Sequence, residues 1–174
     1  MESATSTLQG LDDGLTARRS RLLHLAATAG VSLVLIVALL GWFGPRSATL
    51  VATIGPHRMT VEYPAITRSG VPAPFRVRIE QEQDFTGPVR IAVSDSFYEV
   101  FDFQNWYPNP ATEIGEIDRV VYEFDPPAGN RFEVSLDART GPRQLGGKES
   151  YTAQLLSETG DVLVSIDFET LVVP

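Results

Sequence analysis

Proton transfer and nucleophilic attack need activatable side chains in company, and this sequence supplies few of them. It holds no cysteine, two histidines and one lysine, Lys148, beside thirteen arginines. His24 falls inside a long apolar run, which leaves His57 as the imidazole for any Ser-His-Asp arrangement. His57 reads as part of an early turn, and no G-x-S-x-G elbow occurs. A Ser–Lys dyad of the signal-peptidase kind would have to use Lys148 with Ser150. Lys148 follows Gly146-Gly147 in a polar turn, whereas a reactive lysine is desolvated. No catalytic residue is expected, and the chain reads as a non-enzyme.

Carboxylates are more plentiful. Asp95, Glu99, Asp102, Glu113, Glu116 and Asp118 gather in one stretch, and a hard cation such as Ca²⁺ takes oxygen ligands. The D-x-D-x-D-G loop grammar is missing, and Glu113 and Glu116 flank Gly115 in what reads as an exposed turn. A solvated acidic loop is expected, with no metal and no cofactor. Interleaved with these acids runs Phe97-Tyr98-Glu99-Val100-Phe101-Asp102-Phe103-Gln104-Asn105-Trp106-Tyr107, in which six of eleven residues are aromatic. Phe97, Phe101 and Phe103 share parity and read as one face of a core strand. Tyr98, Trp106 and Tyr107 are harder to bury together, and such rings suit protein interfaces or stacking on sugars. They are the candidate partner surface, set against the favoured, blander reading in which the segment is a core strand and a loop that plugs one end of the domain.

The elements that position these residues begin with a membrane anchor. Leu22 to Phe43 is an apolar run of 22 residues without Asp, Glu, Lys or Arg. As a helix it is about 33 Å long at ~1.5 Å per residue, enough for a hydrocarbon core of roughly 30 Å. Trp42 sits at its far end as an interfacial aromatic, and Gly44-Pro45 stops it. Arg18, Arg19 and Arg21 precede the run and Arg46 alone follows, which places the N-terminus in the cytoplasm. A cleaved signal peptide would have a shorter apolar core and an A-x-A-like site, so an uncleaved signal anchor is expected. Ala26 and Gly30 form a small-x-x-x-small pair suited to close helix packing.

The plan is therefore a disordered tail over 1–21, a transmembrane helix over 22–44 and an extracytoplasmic domain over 45–174. The last alternates with period two. Phe75, Val77 and Ile79 face one way and Arg76, Arg78 and Glu80 the other. Val89/Ile91/Val93, Val120/Tyr122/Phe124, Phe132/Val134/Leu136, Tyr151/Ala153/Leu155 and Val162/Val164/Ile166/Phe168 repeat this. Turn signals such as Gly55-Pro56, Thr86-Gly87-Pro88 and Thr159-Gly160-Asp161 separate the runs. Seven to nine short antiparallel strands predict an all-β, immunoglobulin-like β-sandwich. The strand pattern resembles bacterial immunoglobulin-like modules in general, a resemblance that implies architecture alone.

The net charge of −8 disfavours nucleic acid and anionic lipid as partners of the outer domain. These features predict a single-pass protein of a bacterial cell membrane. Its domain would bind or scaffold another envelope or integral membrane protein, as an accessory subunit of a complex. The alternative is an envelope-glycan binder or hydrolase working through the aromatic and acidic 95–107 segment.

Overall fold

The computed structural model describes residues 13–39, 44–142 and 146–173, in two compact units that divide between Gly44 and Pro45. The first unit contains one helix, α1 (Asp13–Leu39). It begins ahead of Leu22, so residues 13–21 are helical where a disordered tail was expected. Leucine, alanine and arginine dominate that stretch and no proline interrupts it, so helix propensity carries the apolar span back into the polar segment. Arg19–Leu39 is long and apolar enough to cross a membrane, with a mean hydropathy of 2.3. Ala26 and Gly30 lie one turn apart on it, and a Cβ added at Gly30 would meet nothing. Thr28 Oγ1 donates to the carbonyl of His24 at 2.8 Å, which satisfies its hydroxyl within the helix. The side chain of Arg18, and Gly41, Trp42 and Phe43, lie outside the described residues.

The second unit is a β-domain. Its strands are β1 (Arg46–Ile54), β2 (His57–Arg68), β3 (Phe75–Gln81), β4 (Val89–Ser94) and β5 (Phe101–Tyr107). They continue with β6 (Thr112–Gly115), β7 (Arg119–Phe124), β8 (Arg131–Thr140), β9 (Gly147–Leu156) and β10 (Val162–Val173). A short helix, α2 (Ser96–Val100), lies between β4 and β5. Among the described residues there are ten strands, more than the expected seven to nine. The surplus includes β6, formed where Gly115 was read as a turn; it pairs only with β7 and is exposed throughout.

Hydrogen bonding runs through the order β5-β8-β3-β2-β10-β9-β4-β7-β6, with β1 added to β2. All pairings are antiparallel save one: Ile66, Thr67 and Arg68 of β2 run parallel to Leu171, Val172 and Val173 of β10. That short parallel contact departs from the wholly antiparallel expectation. It is where the path folds back on itself, because β2 leaves β3 after Glu62 and meets β10 only at its end.

Ring contacts between the two halves mark the closure. Phe75 of β3 lies 5.6 Å from Phe168 of β10, and Phe124 of β7 lies 5.2 Å from Phe132 of β8. The result is a curled β-sandwich around one core that draws on both halves, including Val77, Ile79, Val134, Ile91, Val93 and Ile166. Burying each such side chain is worth about 1.5–3 kcal/mol. Without disulfides, this packing is what holds the domain.

The alternation predicts the core well, with one reversal at an end. Val162 is 47% exposed, because the register shifts between Val162 and Val164 and turns it outward. The outward arginines of β3 form a cross-strand ladder, with Arg76 on Glu62 at 2.9 Å and Arg78 on Glu133 at 2.7 Å. Glu133 holds the Arg78 guanidinium above its ordinary pKa, first by hydrogen bonding and then by charge.

Candidate functional site

The aromatic segment does not form the surface expected of it. Phe97 is fully buried from α2 rather than from a strand, one helical turn before Phe101, and the two rings stack at 4.5 Å. Trp106 is 2% exposed and belongs to the core, which corrects its assignment to a partner surface. The cause is a register shift between Phe103 and Asn105, which reverses the parity of β5 and turns Trp106 inward. Its ring lies 4.9 Å from Tyr122 and 6.1 Å from Phe75. Tyr98 is half-buried against the same cluster, so it too is withdrawn from the expected surface. Tyr107 alone remains available, 59% exposed.

Three phenols belong to this interior. Burial pushes the Tyr98 hydroxyl well above its ordinary range, and the neighbouring Tyr122 adds to the effect. Burial also raises Tyr122, outweighing the effect of the neighbouring Tyr98 and Trp106, which lower it. Tyr151 is raised by burial first and then by the charges of Glu149 and Glu99. These are packing residues with polar tips, presented to the core by α2, β7 and β9.

The acidic residues disperse. Glu116 pairs with Arg119 at 2.6 Å, Asp102 lines a cavity of about 200 Å³ with Asp137 and Arg139, and Asp118 lines another with Arg119 and Ser94. Among the described residues, no three His, Asp or Glu side chains are placed to hold a metal ion. Lys148 is exposed and pairs with Glu169 at 2.6 Å, so it lacks the desolvation a reactive lysine requires.

The concave feature that sequence reading missed lies at the end of the sandwich opposite Arg46. The β1–β2 hairpin turns there through Gly55, whose φ of +58° suits a two-residue turn, and delivers His57 to the first position of β2. His57 shares a cavity of about 250 Å³ with Phe85, Leu155, Leu156, Leu163 and Glu158. Its Nδ1 is buried and has no hydrogen-bond partner among the described residues.

The cavity's edge is well fixed. Ser157 N–H donates to the Asp161 carbonyl at 2.8 Å, and Asp161 N–H donates back to Ser157 Oγ at 3.0 Å. Arg90 Nη1 donates to the carbonyl of Glu158. A Cβ at Gly87 would collide with the Glu158 carboxylate, so glycine at this position lets that carboxylate lie against the neighbouring loop. The arrangement joins apolar side chains, one imidazole and one carboxylate that has no ion-pair partner among the described residues. It suits recognition of a mixed apolar and polar group.

No family model and no curated protein matches the chain. Among solved structures it is similar to a non-cellulosomal cohesin from the hyperthermophilic archaeon Archaeoglobus fulgidus, at 13% identity and a TM-score of 0.40 over 67% of this chain and 91% of that one. It is also similar to a type I cohesin–dockerin complex, Coh-OlpC-Doc435, from Clostridium thermocellum, at 10% identity and a TM-score of 0.36 over 63% of this chain and 90% of that one. A third is AvmM, which catalyses macrocyclization in alchivemycin A biosynthesis, at 10% identity and a TM-score of 0.37 over 74% of this chain and 89% of that one. A protein-docking module and a cyclising enzyme share this level of likeness, so it is silent about function.

Proposed function

We propose that this chain is a single-pass membrane protein of a bacterial envelope. Its tail lies in the cytoplasm, and its β-sandwich lies outside as a binding or scaffolding module for another envelope component. The observation that carries the reading is the apolar helix Arg19–Leu39 on a chain whose other unit already has a closed core of its own. An exposed apolar helix of that length is stable in lipid and costly in water. Arg19 and Arg21 before the span favour a cytoplasmic N-terminus. An accessory subunit uses such a helix to stay beside a membrane partner, and Ala26 and Gly30 supply a face for close packing. The glycan alternative loses its main support, since Trp106 is in the core and neither Trp106 nor Tyr107 lines the cavities beside His57, Asp102 and Asp118.

The absence of cysteine makes the topology directly measurable. Single cysteines at Ser6 and at Thr159 are labelled in intact cells with a membrane-impermeant maleimide. Labelling at 159 alone is expected, and labelling at 6 alone would invert the topology. Capture of the tagged full-length chain from mild detergent should recover one stoichiometric membrane partner, lost when residues 19–39 are exchanged for an unrelated span. Recovery of the chain by itself in both samples would remove the accessory-subunit reading.

A further inference from the structure

We infer that the cavity beside His57 seats one apolar side chain of a partner polypeptide, with an adjacent lysine or arginine drawn to Glu158. This deepens the binding-module reading and rests on it. A volume of about 250 Å³ exceeds the roughly 150 Å³ that accommodates benzene in an engineered core. Phe85, Leu155, Leu156 and Leu163 give the walls their apolar character. Two further apolar residues stand exposed in register with lining positions: Ile54, 54% exposed, opposite His57, and Val162, 47% exposed, opposite Leu156.

Charge selects the occupant. Glu82 and Asp84 lie on the loop that leads into Phe85, and Glu158 and Asp161 lie on the facing turn. All four are exposed, and none has an ion-pair partner among the described residues. Of the nearby cations, Arg90 is taken by Glu123 and Arg131 by Glu80, which leaves Arg58 against four carboxylates. An anionic ligand is repelled from such a rim and a cationic one is drawn to it. A second copy of this chain fits poorly, because it carries a net charge of −8.

The test uses the full-length chain, ¹⁵N-labelled in a zwitterionic detergent, titrated with three short acetylated peptides. One places leucine between two lysines, the second replaces the leucine with serine, and the third replaces the lysines with glutamates. The first should shift amides confined to 54–57, 81–89 and 155–163, and its binding should weaken as salt rises. Each replacement should weaken binding about tenfold, the equivalent of ~1.4 kcal/mol. Glu158→Lys should weaken the first peptide by a similar factor without changing the thermal midpoint. Equal binding of the glutamate peptide, shifts elsewhere on the domain, or no shifts at millimolar peptide would each overturn the inference. If the membrane partner is still captured by Glu158→Lys while no peptide binds, the module reading stands and this cavity is not its site.

Discussion

Trp106→Ala is expected to cost the domain about 3–5 kcal/mol, a large share of the ~5–15 kcal/mol that holds a typical domain together. Trp106 is 2% exposed and its ring touches those of Phe75, Tyr122 and Phe124, at 6.1, 4.9 and 6.2 Å between centroids. Removing it opens a cavity between the two halves of the sandwich and leaves the Tyr122 hydroxyl without its indole neighbour. Trp106→Phe keeps an aromatic ring in place and should cost less than half as much. Tyr107→Ala is the control one position on. That ring is 59% exposed, and its loss should stay within about 0.5 kcal/mol. Thermal and urea unfolding of the three variants read the difference. A Trp106→Ala protein that melts with the parent would place the ring at the surface and undo the register described for β5.

The same residue shows how far the sequence could be followed. Alternation located the inward faces of β3, β4, β8, β9 and most of β10, because one buried face per strand writes a period of two into the chain. It failed where the period slips. The shift between Phe103 and Asn105 puts Trp106 inside, and the shift before Val164 puts Val162 outside. An extra residue in one strand leaves no mark in the sequence, because either parity is chemically acceptable for an aromatic or a valine.

Phe97 belongs to the core, as its spacing predicts, but reaches it from a helix rather than a strand. Residues 97 and 101 share a strand face and also lie one helical turn apart, so their spacing fits either structure. The candidate site was hidden for a different reason. His57, Phe85 and Leu155 come from separate turns and strands, and only strand order brings the Gly55, Gly87 and Gly160 turns to one end. Each turn was visible by itself. Their adjacency depends on pairings distant in the chain, including the β2–β10 contact that no local pattern encodes.

Strong alkali should unfold the domain in a transition driven by its buried phenols. Tyr98, Tyr122 and Tyr151 all have pKa values raised by burial, with the hydroxyl of each tucked among core side chains. An unfolded tyrosine titrates near ~10. A group whose folded pKa lies above that value contributes its full stability below pH ~10. The contribution is lost as pH climbs toward the folded value, because the unfolded chain releases its protons first. Each phenol then moves the unfolding equilibrium by at most about tenfold per pH unit, and three acting together make the transition steep. Phenolate absorbance and loss of β-sheet circular dichroism should rise together above pH ~10. Ionisation of all five tyrosines well before any loss of sheet would show that these hydroxyls reach water in the native fold. Tyr151→Phe separates burial from mere presence. The Tyr151 hydroxyl has no hydrogen-bond partner among the described residues, so removing it deletes a buried polar atom along with one titrating proton. The variant should be at least as stable as the parent at neutral pH and should unfold at higher pH. A variant that is weaker at neutral pH would mean that this hydroxyl is satisfied in the folded protein, and that its burial is a structural bond rather than a cost.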